Sequence, residues 1–165
     1  KAIIKTADEH GHSLEILKSV ENVNNRQKEI LFHKANKHFE GNLKNKKIAI
    51  WGLSFKPNTD DMREAPSIII INKLLQAGAD IYAYDPVAMK EAKKILPKKV
   101  KYCKTPYEAV EEADALFLVT EWTEFRVLNY KALDKMKNKV IFDGRNIYQP
   151  EELTKNGFTY YGIGR

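Results

Sequence analysis

The sequence predicts an α/β fold, a doubly wound parallel sheet of about six strands preceded by a long helix. Three observations predict it. Apolar runs of buried-strand length recur, such as KIAIWGL at 47–53 and DALFLVT at 114–120. Helical segments lie between them at spacings suited to βαβ units. Ahead of them, a stretch from Ser13 to Gly41 keeps a helical rhythm with no Pro or Gly inside.

Taken in order, residues 1–10 read as a short helix stopped by Gly11. Ser13 is placed to N-cap the next helix, with Glu15 in its first turn, where the helix dipole favours a carboxylate. Ile16, Val20, Val23, Gln27, Ile30, Leu31, Ala35 and Phe39 carry that helix towards Gly41. A helix this long reads as a connector or a dimer spine, or as a helix packed on its own domain. The chain divides accordingly into a helical segment, 1–41, and an α/β domain, 42–165. The domain opens with a strand at 47–53. A helix follows at 66–76, its Pro66 suited to the first turn, where a missing N–H would be unpaired anyway. Strands are predicted at 80–84, 100–103, 114–120, 139–143 and 158–161. Helices are predicted at 88–95, 106–113, 130–136 and 150–156.

Composition narrows the function. The 165 residues carry 28 basic and 22 acidic side chains, a formal charge of +6. The lysines fall in short clusters just before predicted strands, without arginine or aromatic readers between them. This speaks for a solvated basic surface and against nucleic acid. No run approaches the ~20 apolar residues that span a bilayer, so no membrane insertion is expected. With no export signal and a single cysteine, a cytoplasmic location without disulfides is expected. The four histidines, His10, His12, His33 and His38, form no convincing metal set.

Ligands of such sheets sit beyond the carboxyl ends of the strands, near the point where strand order reverses. The loop after the first strand reads GLSFKPNTDDMREAPS from Gly52 to Ser67. A dinucleotide-binding turn has three glycines in G-x-G-x-x-G, and only the first is present, so that grip is not expected here. Instead, Lys56 and Arg63 place two cations beside the start of the next helix, where backbone N–H groups favour anions. Phe55 offers an apolar face for a base or sugar, and Asp60, Asp61 and Glu64 stand ready to pair with the cations. The loop reads either as a pocket for a phosphorylated, ring-bearing ligand or as a long turn held by its own salt bridges.

The same run resembles the signature loop of the UDP-glucose and GDP-mannose dehydrogenase family. Tyr84-Asp85-Pro86, Thr120-Glu121-Trp122-Thr123-Glu124-Phe125 and Phe142-Asp143-Gly144-Arg145-Asn146 match further family segments in order. So do Val23-Asn24-Asn25-Arg26-Gln27 and the final Gly162-Ile163-Gly164-Arg165. The resemblance covers essentially the whole chain and implies a Rossmann-like, UDP-sugar-binding domain. It assigns Phe55 and Lys56 to contacts with the UDP-sugar and Arg145 to the nucleotide end, where a planar fork suits phosphate or ribose oxygens. It assigns Arg63 a reach across the cleft to NAD held mainly by another domain. It also implies a homodimer built through the long helix, with Leu17, Val20, Val23, Ile30 and Leu31 against a twin.

The family reaction oxidises a sugar alcohol to the acid with two NAD, through a thioester on a cysteine in a Gly-Gly-x-Cys-x-Pro-Lys-Asp-type segment. The first residues here resemble the stretch just downstream of that segment, so these residues alone are expected to be catalytically silent. Cys103, at the end of a short strand with no histidine beside it, reads as a structural thiol. Met62-Arg63-Glu64-Ala65-Pro66-Ser67 with Phe142-Asp143-Gly144-Arg145-Asn146 reads most like the UDP-glucose branch, and UDP-N-acetylmannosamine and GDP-mannose remain alternatives, as does a module that serves mainly for assembly.

Overall fold

The computed structural model describes residues 2–165; the expectation for Lys1 lies outside them. Helix α1 (Ala2–Glu9) ends before Gly11, and α2 (Glu15–His38) follows. Ser13 is not the cap of α2. The cap position falls on Leu14, which offers no side-chain acceptor, while the Ser13 hydroxyl turns to the Glu15 carboxylate and accepts from Lys18. At the other end, Glu40 enters the left-handed region (φ 51°) and its N–H reaches the Lys37 carbonyl. The Gly41 N–H reaches back to Asn36, so two otherwise orphaned carbonyls are satisfied and the helix stops.

The α/β part runs β1 (Lys47–Trp51), α3 (Pro66–Gln76), β2 (Asp80–Tyr84), α4 (Met89–Ile95), β3 (Lys101–Tyr102), α5 (Pro106–Val110), β4 (Ala115–Leu118), α6 (Tyr130–Leu133), β5 (Val140–Asp143), α7 (Pro150–Lys155) and β6 (Thr159–Tyr161). A 3-10 turn at Thr123–Phe125, absent from the sequence expectation, precedes α6. All pairings are parallel, in the order β3-β2-β1-β4-β5-β6. The strand order reverses between β1 and β4, which places the switch-point crevice there. The sheet is the Rossmann-like one expected.

Alternate residues of each strand serve opposite layers. Ile48, Ile50, Phe117 and Phe142 pack with Ile70, Ile71 and Leu74 of α3 and with Leu31 and Ala35 of α2. Ala49, Trp51, Leu116 and Ile141 pack with Val110, Leu133, Leu153 and Phe125 on the other face. Trp51 stacks on Phe125 at 5.1 Å and donates its indole N–H to the Pro106 carbonyl. Leu31 is therefore part of this chain's own core, not free for a twin helix, and Ile30 is half-buried. The amino-terminal half of α2 differs: Ile16, Leu17, Val20 and Val23 are exposed. Among the described residues no helix is long and apolar enough to cross a membrane.

Candidate functional site

The loops after β1, β2 and β4 are tied together at the switch point. Gly52 ends β1 with φ 86°, which cuts the expected strand short by two residues. A Cβ on Gly52 would lie 2.6 Å from the Thr120 backbone nitrogen, so only glycine lets the β1 and β4 loops approach this closely. Thr120 then donates its hydroxyl to the Ser54 carbonyl at 2.5 Å.

The centre of the tie is Asp85, fully buried at the end of β2. Its Oδ2 accepts from Leu53 N (2.7 Å), Ser54 N (3.2 Å) and the Trp122 indole (3.1 Å), and its Oδ1 from Val87 N (2.9 Å) and Ala88 N (2.7 Å). In a dinucleotide-binding turn the amides after the first strand would receive a pyrophosphate. Here a carboxylate of the chain already holds two of them, so the turn does not fit NAD, and the missing glycines have a structural counterpart. From the sequence alone Asp85 carries no evident role. An acidic residue closing a central strand ahead of a proline was the available signal.

A cavity of about 690 Å³ opens beside this tie, between the helical segment and the carboxyl edge of the sheet. That size suits a drug-sized or nucleotide-sized molecule. Helix α2 contributes Leu17, Val20, Asn24, Lys28 and Leu31, three or four residues apart and hence on one face; the sheet side contributes Phe55, Val119, Arg145 and Ile163. Gly144 allows the two walls to meet, since a Cβ there would stand 2.9 Å from the end of Leu31 and 3.0 Å from the Leu118 carbonyl. Lys28 bridges the walls through a 2.8 Å ion pair with Glu64, itself at φ 59°. Glu64 thus ties the loop to the helix.

Phe55 and Arg145, far apart in sequence, line this one cavity. Lys56 does not line it; its ammonium stands 5.4 Å from the Phe55 ring centroid, and no carboxylate pairs with it among the described residues. Arg63 also lies outside the lining, exposed and held by Asp61 at 2.8 Å. The Arg63 side chain, then its backbone N–H, pull the Asp61 carboxyl down to about 2, and Asp61 in turn raises the guanidinium. Arg145 is fixed twice. Its backbone N–H donates to buried Asp143 at 2.8 Å, and its Nε and Nη2 both bond the Glu121 carboxylate, the latter at 2.6 Å. Burial works to raise the Glu121 carboxyl, but the bonds and charge of Arg145 outweigh it and leave it low.

Cys103 is buried, and burial, then the charge of Glu108, push its thiol up against a smaller opposing pull from Lys47. That suits packing and not nucleophilic attack.

The profile of the UDP-glucose/GDP-mannose dehydrogenase family, UDP binding domain, matches residues 49–150, from within β1 to the start of α7. The chain belongs to this family. A UDP-glucose 6-dehydrogenase of Pseudomonas aeruginosa is 42% identical over all of this chain and 38% of its own length. One of Bacillus subtilis is 46% identical over 99% of this chain and 37% of its own. The structure of a UDP-glucose dehydrogenase from the archaeon Pyrobaculum islandicum superposes with a TM-score of 0.83 at 29% identity, covering 98% of this chain and 35% of that one. The chain thus spans well under half the length of these relatives.

Proposed function

We propose that these 165 residues are the carboxy-terminal, substrate-binding portion of an NAD-dependent UDP-glucose 6-dehydrogenase, which converts UDP-glucose to UDP-glucuronate. The observation that carries the reading is the convergence of Phe55 and Arg145 on one cavity at the switch-point edge, within a UDP-binding family domain. Phe55 supplies the apolar face for a ring, and Arg145 hydrogen-bonds the nucleotide. Lys56, free of carboxylate partners among the described residues, supplies charge for the diphosphate. Arg63, outside the cavity, extends to NAD held by a separate domain; the cofactor accepts hydride, and these residues bind and orient. The only cysteine is buried, so the 165 residues alone bind without turning over.

Within this reading, residues 1–41 form the connector and 42–165 the UDP-sugar-binding domain. The exposed Leu17, Val20 and Val23 of α2 support a homodimer through that helix. The protein works in the cytoplasm with no nucleic-acid partner.

The test is a calorimetric titration with UDP, GDP, UDP-glucose and UDP-N-acetylmannosamine. UDP and UDP-glucose are expected to bind more tightly than GDP. Lys56→Ala is expected to weaken UDP about tenfold, the equivalent of ~1.4 kcal/mol from one charge-assisted contact. Absence of UDP binding, or NAD reduction with UDP-glucose by this chain alone, would refute the assignment.

A further inference from the structure

The Thr120-Glu121-Trp122 segment carries an acidic residue beside a site read as taking a diphosphate. A carboxylate there repels the ligand unless it performs another task. Glu121 lies three residues past the end of β4 and Arg145 two past the end of β5, and these strands are neighbours with Leu118 opposite Asp143. The two side chains therefore meet across adjacent loops. Their contact is side-on: Nε faces Oε2 and Nη2 faces Oε1. A guanidinium carries five N–H donors in a rigid plane. This contact uses two of them, and among the described residues none engages Nη1. The Glu121 side chain is only 23% exposed, so its charge acts on Arg145 with little solvent between them. Arg126 influences Glu121 less than Arg145 does.

We propose that Glu121 is a positioning residue that cancels the charge of Arg145 and presents its free Nη1 edge as a neutral hydrogen-bond fork for the uncharged oxygens of the nucleoside. The proposal rests on the reading of the cavity as a nucleotide site and divides the work within it. Phosphate charge falls to Lys56, which no carboxylate pairs among the described residues, and ribose or base oxygens fall to the Glu121–Arg145 pair. A bare arginine would seek the phosphates instead, because an ionised acceptor is the stronger partner. Asp143 holds the Arg145 backbone and Glu121 holds its side chain, so the fork is ordered before a ligand arrives.

The experiment compares uridine and UDP binding to the unaltered chain, Arg145→Ala, Glu121→Ala and the near-isosteric Glu121→Gln, with melting temperatures as a folding control. Arg145→Ala is expected to weaken uridine about tenfold and UDP by more, because Glu121 then faces the diphosphate as an uncancelled charge. Glu121→Ala is expected to weaken uridine about fivefold but UDP by less, so that the uridine-to-UDP ratio of Kd widens and UDP binding gains salt dependence. Glu121→Gln is expected to move the ratio the same way by a smaller factor. A merely structural role for Glu121 would lower the melting temperature and leave the ratio unchanged. An unchanged ratio alongside a clear Arg145→Ala effect overturns this proposal alone. If Arg145→Ala affects neither ligand, the nucleotide reading of the cavity falls, and this proposal with it.

Discussion

Replacing Asp85 by alanine is the sharpest probe of how the site is held. Five N–H groups donate to this carboxylate, and four of those bonds are buried. Each buried donor left without an acceptor costs about 1–3 kcal/mol, although a water entering the vacated space recovers part of that. A net loss of about 3–5 kcal/mol follows, against a total stability of roughly 5–15 kcal/mol for a domain. At about 2–4 °C per kcal/mol for a chain of this size, the melting temperature should fall by roughly 6–20 °C in scanning calorimetry. Asp85→Asn keeps one acceptor oxygen and turns an amide donor towards the others, so about half that loss is expected. Asp85 also anchors the amides just before Phe55 and Lys56, so UDP affinity, measured well below the transition, should fall as well. An Asp85→Ala protein melting within about 2 °C of the parent, with UDP binding intact, would refute the view of Asp85 as the tie of these loops.

Gly52→Ala should be more severe than a single methyl suggests. The left-handed backbone alone costs about 1–2 kcal/mol, and the added carbon would press on the Thr120 backbone; a soluble protein of parental melting temperature would contradict this. Asp61 should titrate near 2 by carboxyl-carbon NMR, below its ordinary 3.8, and Arg63→Gln should move that midpoint up. Because the folded-state value is depressed, the stabilisation is full above about 4 and is lost as pH falls through about 2; a midpoint near 4 in the parent would deny the pairing. Cys103 should react with a disulfide reagent only as the chain unfolds, and rapid native labelling would show that the thiol is not packed as described. Val20→Glu together with Val23→Glu should leave the melting temperature within about 2 °C and abolish any dimer seen in sedimentation; a dimer that persists would move the interface elsewhere.

The centre of the sheet was legible because β1, β4 and β5 are buried on both faces and read as apolar runs. Helix α3 was legible to the residue because Pro66 and Gly78 bracket it. The ends of the strands were less so, since Gly52 turns the chain by its dihedral angle, and apolar content does not report that. Ser13 has the chemistry of a cap, but the helix starts one residue later than such a cap would require, and its hydroxyl bonds Glu15. In the loop, residue types pointed to ion pairing but not to every partner. Arg63 does take Asp61, whereas Glu64 reaches across to Lys28 on a helix 36 residues earlier, a contact no local pattern announces. The roles of Asp85, Asp143 and Glu121 depend on which strands become neighbours, and that follows from topology.

The two halves of α2 have different means of support. From Leu31 to Ala35 the helix is sealed against the sheet, whereas Ile16 is 81% exposed and Val20 50%. Amide hydrogen exchange along this one helix should therefore be graded. The carboxyl-terminal turns should open only when the whole domain unfolds, and the amino-terminal turns should open by local fraying. One wall of the cavity belongs to the fraying half, so anything bound there gains order at its own binding cost. The length of α2 that stays closed would then report, residue by residue, how much of the cavity is occupied.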